Sequence, residues 1–399
     1  MVADPGDMLQ QAAELASQLV RWRRHFHMYP ELSFQEVGTS RFVAETLLKI
    51  PGMHVQTEVG YPTAVVGTLT NGPGSTIAIR ADMDALPIQE ENHVTYRSQH
   101  EGIMHACGHD AHTAIALGAA TILAQSFRDG ELKGTIKFLF QPAEERADEH
   151  GSTGAPYMIK AGVLDDVDAV LALHMSPENQ LGEIKAHDGY SMANVDVFQA
   201  KITGSGGHGA YPHLGTDPVW MLGPVLQAVY GITARRVSPL DPGVVSIGKL
   251  NSGFASNVIP AEVEIEGTIR SYDPEVRKLI HEELEQAFTI AKSLGGDYQL
   301  TITPEDPALK NDPGINRYFK ETIQNLYPQF KIIGQPFGMG GEDFAHMAQT
   351  VPGAMFFLGC GLDDDKDRNL HTPYFDIDEQ VLPTGTAIMA ETARRLLQR

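Results

Sequence analysis

Cysteine is almost absent from this sequence, since the chain of 399 residues contains only Cys107 and Cys360. Two cysteines cannot build the disulfide framework of a small secreted domain, and they suit a reducing compartment. Apolar runs are also short, and none approaches the roughly 18 residues that a transmembrane helix requires. The sequence therefore gives no indication of a secreted disulfide-rich protein or of a membrane-spanning one.

Basic charge is scarce as well. Thirty Lys and Arg residues are outnumbered by 51 Asp and Glu, and the formal net charge of −21 disfavours a nucleic-acid partner. Because Asp4 and Asp7 precede any apolar run, we expect no signal peptide and a cytoplasmic protein. The length and the hydrophobic content of 42% allow two domains with separate cores.

The first helix is expected over residues 8–28, where apolar residues recur at helical spacing. It ends in a basic cluster at residues 21–27. Clusters of this kind are most often solvated helix faces, so we expect these side chains to be exposed.

The stretch 104–112 concentrates residue types that bind metal ions, including Cys107 and His109. A thiolate and an imidazole two positions apart can reach one ion if the backbone is extended or turning. The residues after Asp110 favour a helix, for which Asp110 is a plausible N-cap. The alternative is a buried structural cysteine beside loop histidines.

Acidic residues and a histidine follow three predicted strands, where α/β folds place functional groups. Asp84, after the strand at 76–79, could accept a hydrogen bond from a metal-bound histidine. Glu144 and Glu145 follow a β-rich run, and on extended backbone one could ligate a metal while the other lies over its bound water. His174 ends another predicted strand. Each feature also has an alternative structural explanation. Asp84 could belong to an acidic turn, the two glutamates could be an ordinary surface pair, and His174 could be a core histidine.

Between residues 191 and 303 the predicted order is strand, helix, strand, strand, helix, strand. This is the ferredoxin-like split pattern, and it interrupts the α/β domain. We therefore expect a metal-binding catalytic domain at 1–189 plus 302–399 and an inserted domain at 190–301.

The inserted domain carries three candidate functional residues. His208 lies in a glycine-rich turn at 204–213, which could present a histidine and bare N–H groups to an anion or could be a flexible loop. Asn257 and Arg270 lie near the two ends of the following strand pair.

Taken in chain order, Cys107-x-His109, Glu144-Glu145, His174 and His371 resemble the M20 metallopeptidase family. The similarity is to the branch of N-acyl-amino-acid amidohydrolases that includes hippurate hydrolases and auxin-conjugate hydrolases, and it covers nearly the whole chain. The motifs that carry it are Arg80-Ala-Asp-Met-Asp-Ala-Leu-Pro, Met104-His-Ala-Cys-Gly-His-Asp, Phe140-Gln-Pro-Ala-Glu-Glu, Asn257-Val-Ile-Pro, Gly267-Thr-Ile-Arg and Gly341-Glu-Asp-Phe.

The resemblance implies an α/β catalytic domain with a mixed β-sheet flanked by helices, interrupted by a ferredoxin-like α+β dimerisation (lid) domain. It also implies a homodimer or a dimer-based homo-oligomer. Two divalent metal ions per subunit, Zn²⁺, Mn²⁺, Co²⁺ or Ni²⁺, suit the mixed ligand set. The implied ligands are Cys107, His109, Glu145, His174 and His371.

The resemblance assigns roles to the remaining candidates too. Glu144 is similar to the general base, and His208 to a catalytic histidine that one subunit offers to its partner's site. Asn257 and Arg270 resemble residues that hold the substrate carboxylate.

The sequence departs from many M20 relatives at several positions. Asp82 stands where they have a metal-binding histidine, and Cys107 where they have an acid. This branch shares both changes, so the resemblance does not carry a ligand role over to Asp82. The segment 146–156 is several residues longer than is usual in this branch.

The function implied is hydrolysis of N-acyl-L-amino acids, acetyl, benzoyl or similar, to a free amino acid and a carboxylic acid. Alternatives on the same centre are a dipeptidase or carboxypeptidase, or an N-acetyl-diaminopimelate deacetylase. A binding protein for anionic ligands would not need Glu144 beside Glu145. A redox pair of Cys107 and Cys360 does not explain the histidine and glutamate ligands.

Overall fold

The structure is a computed structural model that describes residues 5–399, so Asp4 lies outside the described residues. The chain forms two compact units. The first unit contains the residues up to Gly189, Lys310–Phe337 and Asp343–Arg399, and the second contains Tyr190–Leu309 and Gly338–Glu342.

The chain returns to the first unit at Lys310 rather than at the predicted residue 302. The reason is a pair of backbone hydrogen bonds within the second unit. Glu305 N–H donates to the Val195 carbonyl at 2.9 Å, and Val195 N–H donates to the Asp306 carbonyl at 2.9 Å. These bonds keep the segment after the last predicted strand attached to the inserted unit.

The first unit is built on a mixed sheet of eight strands, in the order β1-β2-β4-β3-β5-β16-β6-β15. The neighbouring pairs β3–β4, β3–β5 and β5–β16 are parallel. The pairs β1–β2, β2–β4 and β6–β16 are antiparallel. The strands are β1 (His54–Thr57), β2 (Val65–Asn71), β3 (Thr76–Asp82), β4 (Gly134–Gln141), β5 (Ala169–Gln180), β6 (Glu183–Lys185), β15 (Lys331–Ile333) and β16 (Gly353–Gly361).

Helices flank this sheet, and the predicted helix 8–28 is two helices separated at Leu15. Helix α4, which is buried along most of its length, packs against α2 and α11. A Cβ at Gly118 would lie 2.6 Å from Leu19 and 2.9 Å from Thr386, so glycine permits this close approach. The helices are α1 (Pro5–Glu14), α2 (Ala16–Met28), α3 (Val37–Leu47), α4 (His109–Arg128), α5 (Gly154–Lys160), α9 (Pro313–Leu326), α10 (Phe344–Thr350) and α11 (Val381–Leu397).

Part of the basic cluster at residues 21–27 is buried, which corrects the expectation of a solvated face. Arg23 and His27 are wholly buried. Arg23 Nε donates to Asp110 Oδ2 at 2.8 Å, and His27 Nδ1 lies 2.8 Å from the same oxygen. Asp110 is therefore not the N-cap of α4, since the helix begins at His109 and the Asp110 carboxylate binds α2.

The second unit contains a four-stranded antiparallel sheet in the order β10-β12-β8-β13, with helices packed on it. The predicted ferredoxin-like order of strands and helices is confirmed. Its elements are β8 (Asp196–Thr203), β9 (Gly207–His208), a short 3₁₀ helix (Pro212–Leu214), α6 (Pro218–Arg235), β10 (Gly243–Ser252), β11 (Val258–Ile259), β12 (Glu262–Ser271), α7 (Pro274–Phe288), α8 (Ile290–Ser293) and β13 (Asp297–Pro304). The chain passes between the units through β7 (Gly189–Met192) and β14 (Leu309–Asn311).

In the described part of the chain, no helix combines the length and the apolar character that a membrane span requires.

Candidate metal centre

Three predicted ligands meet beside the N-terminus of α4. Cys107 precedes this helix, His109 is its first residue, and His174 lies in the middle of β5 rather than at a strand end as expected. Cys107 Sγ is 3.4 Å from His174 Nε2, and one potential ligand atom from each of the three residues lies within 4.8 Å of the others. Gly108 makes this turn with φ of 97°, where a Cβ would approach Met175 to 2.7 Å.

A second group shares Cys107 with Glu145 and His371. Glu145 Oε1 lies 3.3 Å from His371 Nε2. His371 has a positive φ of 62°, and its N–H donates to the Ala106 carbonyl at 2.8 Å, next to Cys107. The loop that carries His371 is thus tied directly to the loop that carries the cysteine.

Backbone carbonyls orient the rings of two candidate ligand histidines. His109 Nδ1 donates to the Asp84 carbonyl at 2.9 Å, and His174 Nδ1 donates to the Met175 carbonyl at 2.7 Å. In the neutral form of each ring, this arrangement leaves Nε2 as the lone-pair nitrogen, the atom that can bind a metal.

Two of the converging atoms are buried without a hydrogen-bond partner among residues 5–399, namely His109 Nε2 and Glu145 Oε1. A buried polar atom without a partner is costly, and a divalent cation would satisfy both. Thiolate, imidazole and carboxylate ligands together suit a transition-metal ion. The residues present therefore fit the metal ions that the sequence implies.

The electrostatics of the centre also favour a cation. Burial raises the pKa of the Cys107 thiol well above its usual range, and Glu145 and Glu144 raise it further. Burial lowers the pKa of His109, but Asp82 and Asp84 outweigh burial and raise that pKa to about 10. Negative charge thus dominates around these two buried candidate ligands.

The Asp84 carboxylate binds the backbone N–H groups of the glutamate pair. It accepts the N–H groups of Glu144 and Glu145 at 3.0 Å each and the Ser33 hydroxyl at 2.7 Å. The same carboxylate lies 3.3 Å from His109 Nδ1. Asp84 therefore contacts both glutamates and one candidate ligand histidine.

Asp82 and His112 lie close to His109, but they bind each other instead of offering free ligand atoms. His112 Nδ1 donates to Asp82 Oδ1 at 2.7 Å, and Met175 N–H donates to His112 Nε2 at 2.9 Å. The other Asp82 oxygen accepts Arg80 Nη1 at 2.5 Å. Both His112 nitrogens are thus in hydrogen bonds, which argues against this pair as metal ligands.

Sequence reasoning did not single out Glu36, which is wholly buried behind the glutamate pair. Its carboxylate accepts the N–H of Ala143 at 2.9 Å. Burial and the charge of Asp84 raise the pKa of Glu36 to about 7. No spacing signal could have found Glu36, because its partner is a backbone group more than a hundred residues away.

The longer segment 146–156 forms a compact turn around Asp148. The Asp148 carboxylate accepts the N–H groups of His150 at 2.9 Å and Ser152 at 3.1 Å, and it also accepts the Tyr157 hydroxyl. The extra residues therefore fold back onto Tyr157 of α5.

The three candidates of the second unit lie at two separate places. His208 pairs with Val258 in the β9–β11 ladder, and Gly209 N–H donates to the Asn257 carbonyl at 2.9 Å. Arg270 lies near the opposite end of β12. The strand from Glu262 to Arg270 spans about 26 Å at roughly 3.3 Å per residue. Asn257 and Arg270 of one chain therefore cannot hold the same carboxylate.

Arg270 is half-buried and has no side-chain hydrogen bond or ion pair within the described residues. Burial lowers its pKa, while the negative charges of Glu305 and Asp196 raise it. Arginine stays protonated even so, and a half-buried guanidinium of this kind can receive an anionic ligand.

A protein-family model described as peptidase family M20/M25/M40 matches residues 78–395. The chain belongs to this family. It is accordingly a metal-dependent hydrolase, and the family prediction made from the motifs is confirmed.

Two curated relatives and one solved structure place the chain within the family. The thermostable carboxypeptidase 1 of Saccharolobus solfataricus is 39% identical over 381 residues, which cover 93% of each protein. The N-acetyl-L-cysteine deacetylase of Bacillus subtilis is 38% identical over 388 residues, which cover 96% of this chain and 89% of the relative. A dinuclear metal-binding peptidase of the M20 family from Bacillus subtilis matches with a TM-score of 0.83 and 33% identity, over 97% of this chain and 99% of that one.

Proposed function

We propose that the enzyme hydrolyses the amide bond of N-acyl-L-amino acids and releases a free amino acid and a carboxylic acid. The observation that carries this proposal is the position of Glu144, whose Oε2 lies 3.9 Å from His109 Nε2 and whose neighbour Glu145 belongs to the same cluster. A centre that only bound a ligand would not need this additional carboxylate.

The proposed ligands are those that converge in the first unit: Cys107, His109, Glu145, His174 and His371. When bound, two divalent ions at these residues would lower the pKa of a water molecule and polarise the amide carbonyl. Zn²⁺, Mn²⁺, Co²⁺ and Ni²⁺ are all compatible with the donor set.

Glu144 is the proposed general base. Its carboxylate takes the proton of the attacking water and then gives it to the leaving nitrogen, which departs as the free amine. Asp84 supports this role, because it fixes the Glu144 N–H at 3.0 Å and so limits where the side chain can project.

Arg270 is proposed to bind the free carboxylate of the substrate through a charge-assisted hydrogen bond. The half-buried and unpaired guanidinium supports this assignment. A carboxylate beside the scissile amide is common to N-acyl amino acids and to C-terminal peptide bonds.

We further propose that two copies of the chain associate through the second unit. β10 is an edge strand of its sheet, and α6 exposes Trp220 at 60% and Tyr230 at 54% of their surfaces. Unpaired edges and exposed aromatic side chains are typical of surfaces that a partner covers. The separation of His208 and Asn257 from Arg270 supports a site completed by His208 and Asn257 of a second copy.

A carboxypeptidase is the second candidate, because one relative of 39% identity is a carboxypeptidase. A panel of N-acetyl-amino acids, N-benzoyl-amino acids and dipeptides separates the two activities. The proposal predicts the highest kcat/KM for an N-acyl amino acid. Higher kcat/KM for the dipeptides would favour the carboxypeptidase, and no hydrolysis by the metal-loaded protein would contradict both.

A further inference from the structure

The consecutive backbone N–H groups of Ala143, Glu144 and Glu145 donate to two buried carboxylates. Ala143 N–H donates to Glu36 Oε1 at 2.9 Å, while the N–H groups of Glu144 and Glu145 donate to the two oxygens of Asp84 at 3.0 Å each. The direction of each peptide plane in this turn is therefore fixed by a side chain distant in sequence.

The turn needs such support because its backbone is strained. Ala143 has a φ of 50°, in the left-handed region that residues with a Cβ rarely adopt. Phe34 has a φ of 67°, and its N–H also donates to Glu36 Oε1, at 2.8 Å. One carboxylate oxygen thus holds two left-handed residues from different loops.

The loop that contains Glu36 also contacts the second carboxylate. Ser33, next to Phe34, donates its hydroxyl to Asp84 Oδ2 at 2.7 Å. Thr63 donates its hydroxyl to Glu36 Oε2 at 2.8 Å, so both Glu36 oxygens are in hydrogen bonds. The Glu36 and Asp84 carboxylates are therefore connected through one loop, and together they bind the backbone of the turn that carries the glutamate pair.

The ordinary explanation for an acidic residue at this place is helix capping, and the contacts argue against it. Glu36 occupies the N-cap position of α3, but its side chain makes no cap hydrogen bond. Glu31 does this instead and accepts the N–H groups of Gly38 at 2.9 Å and Thr39 at 2.8 Å. The Glu36 carboxylate is directed at Ala143 rather than at its own helix.

We propose that Glu36 is a positioning residue that fixes the Ala143–Glu145 turn and thereby the directions of the Glu144 and Glu145 side chains. This inference rests on the proposed function for the roles of those two glutamates. These hydrogen bonds require an acceptor oxygen at the distance that a glutamate side chain spans. They do not require that the side chain be charged. Burial and the charge of Asp84 raise the pKa of Glu36 to about 7, which agrees with a contribution that does not depend on ionisation.

Two substitutions separate reach from charge. Glu36→Gln keeps the reach and an acceptor oxygen without the charge, whereas Glu36→Asp keeps the charge but shortens the side chain by one methylene. Glu31→Asp is the matched control, since it shortens a carboxylate that also accepts backbone N–H groups but does not contact the Ala143–Glu145 turn.

The first readout is hydrogen exchange of the 143–145 amides in metal-free protein, which requires no hydrolytic activity. Glu36→Asp should speed this exchange at least about tenfold, while Glu36→Gln and Glu31→Asp should leave it unchanged. The second readout is calorimetric titration with Mn²⁺, together with kcat and KM. Glu36→Asp should weaken Mn²⁺ binding and lower kcat by about 10–100-fold with little change in KM, and Glu36→Gln should stay within about threefold of wild type in both.

Unchanged 143–145 exchange in Glu36→Asp would overturn the proposal. Equally fast exchange at these amides in Glu31→Asp would also overturn the proposal, because it would indicate general loosening of the loop. A Glu36→Gln protein that behaves like Glu36→Asp would overturn the proposal as well. An inactive wild-type protein with the expected exchange pattern would instead contradict the proposed function while retaining the positioning role.

Discussion

Cys107 Sγ and His174 Nε2 lie 3.4 Å apart, although the two residues are 67 positions apart in sequence. Both side chains are buried, and the other ring nitrogen of His174 is bound to a backbone carbonyl at 2.7 Å. A thiol and an imidazole lone pair in this arrangement can share a divalent cation. The same thiol belongs to the group with Glu145 and His371, so Cys107 is central to the proposed centre.

Replacing Cys107 by Ala should therefore lower the metal content and abolish hydrolysis while the protein remains folded. Elemental analysis of purified protein and circular dichroism measure the two effects. Cys360→Ala is the matched control, because Cys360 is also a buried free cysteine but belongs to none of the ligand groups among the described residues. Full metal content and activity in Cys107→Ala would remove Cys107 from the ligand set, and inactivity of both variants would favour a shared role of the cysteines.

Replacing Arg270 by Ala should raise KM about tenfold or more for substrates with a free carboxylate, because a charge-assisted hydrogen bond is lost. The measurement compares an N-acetyl-amino acid with its C-terminal amide in wild type and variant. Arg236→Ala, which removes an exposed arginine of the same unit, should leave both KM values unchanged. Equal preference of the wild type for acid and amide would leave Arg270 without this role.

A dimer in which His208 completes the partner's site should show complementation between inactive variants. Equal amounts of His208→Ala and Glu144→Gln chains, exchanged at random, give half mixed dimers with one intact site each. About a quarter of wild-type activity should return, as a statistical expectation for a two-fold symmetric dimer. Native mass spectrometry verifies the mixed dimers, and no recovery in them would mean that His208 acts within its own chain or not at all.

Asp196 should make the second unit sensitive to acid. Burial raises the pKa of Asp196, but His281 at 2.5 Å and Arg277 at 2.9 Å outweigh burial and lower it. A lowered pKa in the folded state stabilises the protein above the unfolded-state pKa of about 4, and this contribution is lost as the pH falls through the folded-state value.

Asp196→Asn should therefore cost about 1.5–3 kcal/mol of unfolding free energy at pH 7, and the difference from wild type should shrink below about pH 4. Urea unfolding across this pH range measures it, with the exposed Asp241→Asn as the control. A difference that is independent of pH would show that the charge of Asp196 is not the source of the stability.

The sequence predicted the parts of the molecule that depend on local patterns. The ferredoxin-like order of the inserted unit follows from hydrophobic periodicity, and the Cys107–His109 spacing follows from the geometry of a short turn. Glu144 and Glu145 could be selected because they lie within four residues of the end of a β-rich run.

Sequence-based predictions were missing or wrong for features that depend on residues far away in the sequence. Arg23 was expected in solvent, yet it is buried because Asp110, on another helix, binds its guanidinium at 2.8 Å. The support from Glu36 depends on a strained backbone at Ala143, for which the sequence has no signal. The native metal and a cytoplasmic location stay predictions.

The roles of the two glutamates are tested most directly by the metal content and hydrolysis rate of Glu144→Gln, measured beside Glu145→Gln. If Glu144 is the general base and Glu145 a ligand, Glu144→Gln should keep its metal ions and lose at least about 10²-fold in kcat, the low end for general acid–base catalysis, whereas Glu145→Gln should lose metal. A Glu144→Gln protein with full metal content and near-wild-type kcat would contradict the role of Glu144 as the general base. The opposite pattern of metal loss would show that Glu144 is the ligand and Glu145 the base.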